Sequence, residues 1–565
     1  MAYDTIINNS ALSSLMERLQ REKSAGIELQ ERKHEDWDSN YELYRNKVKT
    51  NRLTQRQAVN IPLMKETIKT LLAKIDEPPE IEWKELGGDA QKELIYQEIW
   101  NNNRKENNLD FVDILDKKNV LLYGISVKKL NITENGIIIN VLDIYDIALD
   151  PLMNVWDLES ARFIIQQNIF RTVREILADE RYSKEGKEEL KIWADSPPGI
   201  TQGQVNKEEW EKKMERLKSM GVEHKDFALF AGGDRIVNLT EHYTKVWDIK
   251  KKKFEKRVVV YAENNIEIMN ETLEDLIGVD FWPFVIWSED PETNDVYPDS
   301  VADMVRTPNK VLNVWFSQLI ENRTLKNFQM HWFSPTQGYN PQTYTPGPGV
   351  MLPAPPGDDI RKVIQPVEVS GLDDTLNAIN IVTQIVERGT GATSIEKGQG
   401  EKGEQTLGEV EILVGKATER AVSMTKFYRM AWYEIAWKWN RLMHVNAPKK
   451  LKLFKISRTG RAVPKTVTQK EWKSNEGYEP LVRSSSEQER ESTQGIQRFL
   501  FILQQFPDNP VLRRIAQKRM LEIVDLTSEE LKEVEEAQKG VEEVGGTVTT
   551  PTVEAPQMQA LPTAV

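Results

Sequence analysis

Five consecutive stretches decide how this chain is read: PDSVADMVRTPNKVLNVWFSQLIENRTLKNF at 298–328, SPTQGYNPQTYTPGPGVMLPAPPGDDIRKVIQPVEV at 334–369, SGLDDTLNAINIVTQIVER at 370–388, GTGATSIEKGQGEKGEQ at 389–405 and TLGEVEILVGKATERAVSMTKFYRMAWYEIAWKWNRLMHV at 406–445. In the first, Val301, Met304, Val305, Val311, Leu312, Trp315 and Leu319 recur at the period of one helix face. Thr307-Pro308 suits an N-cap followed by proline at the first helical position, so this stretch is either two helices or one with a kink. Ser370, with Asp373 and Asp374 in the first turn, starts the next helix, striped by Leu372, Leu376, Ile379, Val382 and Val386. Thr406 and Glu409 make a capping box that opens a helix of about 60 Å, at 1.5 Å per residue. Val410, Leu413, Ala417, Ala421, Met424, Ala431, Ile435, Trp439 and Leu442 run down one face of it, and Trp432 and Trp437 add bulky anchors near its end. Between the two capped helices, the seventeen residues 389–405 hold five glycines, and a mobile loop is expected there. This order of helix, Pro/Gly-studded interlude, helix, glycine-rich loop and long helix suits a ring built round a hole better than a catalytic pocket.

Working outward, the 565 residues exceed one ordinary core, and two to four domains or one elongated multi-part subunit are expected. Residues 10–60 are helix formers with alternating charge, and Trp37, Tyr41 and Tyr44 share a face that docks this helix on the body. IPLMKETIKTLLAKI continues as an amphipathic helix stopped by Pro78-Pro79. The helices of ELIYQEIWNNNRKENNLDFVDILDKKNVLLYG end at Gly124, a C-terminal cap. Strands follow: a hairpin around Glu134-Asn135-Gly136, then ARFIIQQNIF. TVREILADERYSKEGKEELKIWAD is a helix, and the charged residues 184–232 read as a solvated surface insertion. RIVNLTEHYTKVWD and FEKRVVVYAENNIEIM form a hairpin with a basic tip at residues 250–253, which by itself reads as a soluble turn. FWPFVIW is a short buried strand, LKLFKISRTGRAVPKTVTQKEW returns to strands, 484–540 is helical, and 541–565 is expected to lack fixed structure.

Composition removes several classes. There is no cysteine, which excludes disulfides and thiolate metal sites and points to a reducing compartment. His34, His224, His242, His331 and His444 never fall three or four residues apart, so a helical histidine metal motif is absent. A net charge of -13 argues against tight binding of nucleic acid, which needs clustered Lys and Arg, but not against DNA passing nearby. No apolar run reaches bilayer length, and MAYDTIINNSALSSL lacks the basic start and apolar core of a leader, so an intracellular, soluble protein is expected. The sequons at Asn131 and Asn238 are then chance matches.

A phosphate-binding loop needs GxxxxGK followed by Ser or Thr. Gly398 to Gly403 has the glycine spacing, but Glu404 stands where the lysine belongs; Gly415-Lys416 is followed by Ala417 and has Val410 in place of the first glycine. GxSxG and HExxH are also absent, and no carboxylate pair stands out as a general acid and base. The chain is read as a non-enzyme without cofactor or metal.

Taken in order, these features resemble the portal proteins of tailed bacteriophages, the head-tail connectors. The pieces carrying the resemblance are NIPLMKETIKTLLAKI ending at Pro78-Pro79, Asp143-Ile144-Tyr145-Asp146 with Asp150-Pro151, Trp282-Pro283-Phe284-Val285, the pattern Pro308, Asn313, Ser317, and PGPGVMLPAPPGDDIRKV. Each is weak alone, and their order gives the specificity. The resemblance implies an α+β, mostly helical, elongated subunit assembling into a ring, with 1–297 as wing, 298–333 and 370–388 as stem helices and 334–369 as clip. It implies further a tunnel loop at 389–405, a long wing helix at 406–446, a β-rich return at 447–483 and a crown at 484–540.

Implied too are a dodecamer at one capsid vertex, double-stranded DNA in the channel, and contacts with the terminase large subunit, major capsid and scaffold proteins, and a neck adaptor. The setting is the virion after assembly in host cytoplasm, with no membrane partner. Tunnel-loop residues are then Thr390, Thr393, Ser394, Lys397 and Lys402, the two lysines being candidates for DNA proximity. Clip residues for terminase or neck proteins are Gln337, Tyr339, Tyr344, Asp358, Asp359 and Arg361. The short clip and the 184–232 insertion depart from the family pattern. The alternatives are a helical scaffold or adaptor of another assembly, or a nucleotide-driven DNA-processing enzyme, the latter opposed by the missing phosphate loop.

Overall fold

In the computed structural model the described residues are 2–47, 59–75, 79–133, 136–154, 157–195, 236–248, 251–262, 266–327, 331–333, 364–366, 373–392, 407–456 and 462–484. They form, in chain order, α1 (Ala2–Tyr44), α2 (Leu63–Lys74), β1 (Pro79–Glu85), α3 (Ala90–Glu106), α4 (Leu109–Tyr123), β2 (Ser126–Thr133), β3 (Gly136–Val141), β4 (Ile147–Leu149), β5 (Phe163–Thr172), α5 (Val173–Ala178) and α6 (Lys184–Asp195). There follow β6 (Ile236–Asp248), β7 (Lys253–Tyr261), β8 (Glu267–Thr272), α7 (Leu273–Ile277), β9 (Phe284–Trp287), α8 (Val301–Asn327), β10 (His331–Phe333), β11 (Ile364–Pro366), α9 (Asp373–Thr390), α10 (Leu407–Asn446), β12 (Lys450–Ile456), β13 (Ala462–Thr468), α11 (Gln469–Trp472) and β14 (Tyr478–Ser484). The class is α+β. The chain divides into two units, Met1–Val482 and Arg483–Val565, and the architecture is that of the first. The helix expected at 484–540 and the tail at 541–565 lie, beyond Ser484, outside the described residues.

Strands β4-β5-β6-β7-β8 make one five-stranded antiparallel sheet and β3-β2-β9 a three-stranded one. The smaller sheet is the partition between two hydrophobic cores, because side chains alternate across a strand. Along β9, Phe284 and Ile286 enter one core while Val285 and Trp287 enter the other. Val127 and Leu130 of β2 divide the same way. The first core joins one face of the large sheet to α2, α4 and the start of α8. The second is aromatic: Tyr96 stacks on Tyr478 at 3.9 Å, and Trp100 meets Trp439 edge-on at 4.9 Å.

Between Val127 and Leu130 sit two lysines, Lys128 and Lys129, both buried. The alternation sends them to opposite faces, and each finds a carboxylate: Lys128 pairs with Asp116 and Lys129 with Glu241. Burial disfavours the ionised form of Glu241, but Lys129 outweighs it, and the net effect holds the carboxyl below its usual range. Asp116 also accepts from Trp287 Nε1 at 2.8 Å.

Several expectations are corrected. The N-terminal helix runs from Ala2 and stops at Tyr44 rather than continuing to residue 60. Its aromatic face does dock, with Trp37 buried and Tyr41 and Tyr44 packed against the core. The single helix expected over 172–195 is two: a Thr172/Glu175 capping box starts α5, and α6 follows. The charged side chains at the start of the insertion, Lys184, Glu185, Glu188, Glu189 and Lys191, are exposed as expected, but α6 is not a surface add-on: Leu190 and Trp193 on its other face are buried, and Gly186 lies so close to β8 that an added Cβ would stand 2.4 Å from Glu267 O. Residues 196–232 lie outside the described residues. Gly124 caps α4 with φ 81, and any side chain there would collide with the Pro298 carbonyl, 2.0 Å from its Cβ position.

Candidate functional site

Helix α8 is one continuous helix with Pro308 inside it, which settles the choice between two helices and one. Its buried face is only partly the apolar stripe expected: Val301, Val305 and Leu312 are buried, whereas Met304 is 44% exposed. The rest of that face is polar. Asn309, Asn313 and Ser317, four residues apart, are all buried and aim at the extended segment before α2. Asn309 Oδ1 accepts from Met64 N at 2.9 Å, Asn313 Oδ1 from Ile61 N at 2.7 Å, and Ser317 Oγ from Val59 N at 3.0 Å. Asn309 Nδ2 returns a bond to Ile61 O at 3.1 Å. Met64 N belongs to the first turn of α2, where N–H groups lack intrahelical acceptors, and the half-buried Val59 and Ile61 precede the helix; the ladder supplies acceptors to all three.

Helix α9, 18 residues long, packs against α8. Ile379 and Val386 are buried and Val382 half-buried, but Leu376, Ile381 and Ile385 stand exposed. Between α8 and α9, β10 pairs antiparallel with β11, Phe333 opposite Ile364. The residues between those strands therefore leave and return at one place. The expected stem helix at 298–333 is thus shorter than read: it ends at Asn327, and 331–333 is strand.

The root of the glycine-rich segment is fixed from several directions. Thr390 is buried in the last turn of α9, donating to Val386 O at 2.8 Å and accepting from Ala392 N at 3.4 Å. It is therefore a helix end, not a loop residue. Gly391 follows with φ 74 and bonds to Glu387 O at 2.8 Å, the left-handed C-terminal cap that glycine accommodates. Lys74, the last residue of α2, donates to Gly391 O at 2.6 Å, placing a cation at the negative end of α9.

Helix α10 begins at Leu407 and is 40 residues long, and its described second half is locked to the small sheet and to α4. Tyr428 donates to Asp113, which pairs with Lys117 at 2.6 Å, and the Lys117 ammonium sits 4.5 Å from the Tyr428 ring centre. Burial raises Asp113 even against Lys117, and burial with the neighbouring carboxylates raises the Tyr428 phenol. Lys438, also buried, donates to Phe284 O at 2.7 Å and pairs with Glu434 at 2.7 Å. Met424, Ala431, Ile435, Trp439 and Leu442 are buried as the stripe predicts.

Of the sequence-derived site residues, only Thr390 is described. Thr393, Ser394, Lys397 and Lys402, and Gln337, Tyr339, Tyr344, Asp358, Asp359 and Arg361, lie outside the described residues. Lys74 and Asn309 escaped the reading, although the spacing Asn309, Asn313, Ser317 was a signal in plain view. Among the described residues no group of His, Asp and Glu is arranged to hold a metal ion, and no helix is long and apolar enough to cross a membrane.

The described residues thus give packed helices α8 and α9, a two-stranded ribbon between them and an anchored root for the glycine-rich segment. The family described as Phage SU10 portal protein matches residues 23–559, and the chain belongs to that family of structural proteins of the phage virion. No curated protein matches the chain. Among solved structures, a chain from the neck of an empty gene transfer agent particle computed with C6 symmetry is 11% identical with a TM-score of 0.36, covering 78% of this chain and 86% of its own. A chain from the virion of a native gene transfer agent particle is 10% identical with a TM-score of 0.32, covering 84% of this chain and 89% of its own.

Proposed function

We propose that copies of this chain close into a ring, a dodecamer, at one capsid vertex, forming the conduit through which double-stranded DNA is packaged by the terminase large subunit and later ejected. Helices α8 and α9 form the stem, the residues between β10 and β11 the clip that meets terminase and then a neck adaptor, and the residues after Ala392 the tunnel loop. The wing is built on the two cores, contacts capsid and scaffold proteins, and carries α10, while 484–540 forms a crown. The carrying observation is the side-by-side packing of α8 and α9 with the intervening segment drawn shut by β10 and β11.

The chemistry of α9 supports this reading. Between Asp374 and Glu387 it bears no charged residue, and its exposed side includes Asn377, Asn380 and Gln384. A wall of that kind offers phosphates little to hold, as sliding DNA requires, and the chain's net charge of -13 acts in the same sense. Lys397 and Lys402, repeated around a ring, would still centre a duplex.

Negative-stain imaging of the purified full chain tests the proposal. Rings with an open channel wide enough for a duplex are expected. Compact particles or filaments without a channel, at every concentration tried, would overturn it.

A further inference from the structure

Strands β6 and β7 outrun their sheet. Pairing of β6 with β5 ends at Thr244, with one more bond from Lys245 N to Arg162 O, and pairing of β7 with β8 begins only at Arg257. Val246–Asp248 and Lys253–Lys256 therefore continue as a two-stranded ribbon beyond both neighbours. Two strands alone are marginal in water. At this end Trp247 and Phe254 face each other in register, their rings 5.0 Å apart and 71° from parallel, yet they are 48% and 61% exposed. Lys251 pairs with Glu255, and Lys252 and Lys253 stand exposed beside them. A protruding aromatic pair with a cationic collar has the composition of an interface anchor.

A complementary surface lies on the other core. Leu86, after β1, and Leu94, on α3, are 62% and 60% exposed. Residues 80–98 around them carry Glu80, Glu82, Glu85, Asp89, Glu93 and Glu98 against Lys84 and Lys92. Glu85, Asp89 and Glu93 lie together, Asp89 N donating to Glu85 Oε2 at 2.8 Å and Glu85 N to Glu93 Oε2 at 3.2 Å; Lys84 pairs with Glu93 and Lys92 with Asp89, and Glu80, Glu82 and Glu98 leave the surface net acidic. Ile192 of α6, another exposed apolar residue with acidic company, is less suited. Helix α6 packs on β8, in the same sheet as the ribbon, whereas a head-to-tail ring needs donor and acceptor on different faces.

We propose that the β6–β7 tip is an inter-subunit anchor, seating Trp247 and Phe254 with Lys252 and Lys253 on the acidic, apolar surface around Leu86 and Leu94 of a second copy of this chain. The proposal rests on the ring reading and names the contact that builds the ring. A nucleic-acid occupant is disfavoured by the edge-on ring geometry, which presents no parallel plates for bases, and by the two or three lysines, too few to neutralise many phosphates.

The absence of native cysteine makes the test clean. The full chain carrying Lys252→Cys and Leu94→Cys is assembled and treated with a short thiol cross-linker, and Trp247→Ser/Phe254→Ser is compared with wild type by native mass spectrometry. Expected are a ladder of cross-linked multimers and an assembled fraction at least tenfold lower in the serine variant, with unchanged circular dichroism. Rings whose cross-links map elsewhere, or a serine variant that assembles like wild type, overturn the anchor. So does protection of the tip by duplex DNA in place of a second copy. Non-ring dimers cross-linked through these two positions would support the anchor and overturn the ring reading.

Discussion

The ladder on α8 makes a quantitative prediction through Asn313→Ala. Asn313 is 4% exposed, and its Oδ1 accepts from Ile61 N at 2.7 Å and from Asn309 Nδ2 at 3.3 Å. Alanine leaves the half-buried Ile61 N–H without that acceptor, and a donor left unmet away from water costs about 1–3 kcal/mol. The longer Asn309 bond adds little, so local opening of the 59–64 segment should become easier by about 2 kcal/mol, roughly 30-fold at 1.4 kcal/mol per decade. Hydrogen exchange of the assembled protein, followed by mass spectrometry, reads this directly in peptides spanning 59–64, with β6 and β7 peptides as the unchanged reference. Exchange within twofold of wild type at 59–64 would refute the ladder's role. Uniform acceleration across the chain would refute its locality.

Four further outcomes are expected. Replacing Lys397 and Lys402 together with alanine should alter DNA packaging or retention while rings still assemble; unchanged packaging and retention would contradict the tunnel-loop reading. Lys74→Met removes the 2.6 Å bond to Gly391 O and should speed exchange at 387–392 several-fold, measured by the same method. Lys128→Met strands buried Asp116 and should cost about 3–5 kcal/mol in denaturant titration, most of it recovered in Lys128→Met/Asp116→Leu. His242, buried among Phe163, Tyr261 and Glu22, is held below its ordinary value by burial, although Glu22 opposes this. Its depressed folded value means the unfolded chain binds more protons, so stability present above about pH 6.5 is lost as pH falls through the folded value. His242→Gln should flatten thermal stability against pH in that window; an unchanged slope would count against the assignment.

Local chemistry was legible in the sequence where one element decides it. Gly124 was read as a cap and adopts φ 81, the Thr406/Glu409 spacing points to a helix beginning at Leu407, where α10 starts, and the Glu134-Asn135-Gly136 turn signal falls between β2 and β3. What stayed hidden depends on partners far along the chain. β1 pairs with β14, which lies near the far end of the first unit, and the alternation of Ile81 and Trp83 with Glu80, Glu82 and Lys84 suits a strand without naming its partner. Lys117, Lys128 and Lys438 look solvent-facing in sequence, yet all are buried because α4, the small sheet and α10 converge on them. Asn313 and Ser317 were legible only as part of a helix pattern with Pro308, and Asn309 not at all, since polarity alone does not say whether water or a neighbouring backbone supplies the hydrogen bond. The converse error sits on α9, where Leu376 fits the apolar stripe but is 54% exposed in the single subunit.

The central claim is that this chain is the channel at the portal vertex, and labelling it inside intact particles addresses that most directly. Gold-tagged chain in DNA-filled virions, imaged by electron cryomicroscopy, should mark one vertex per particle, at the head-tail junction, with DNA density passing through its axis. Label spread over the capsid shell, or confined to the tail away from the DNA path, would contradict the account.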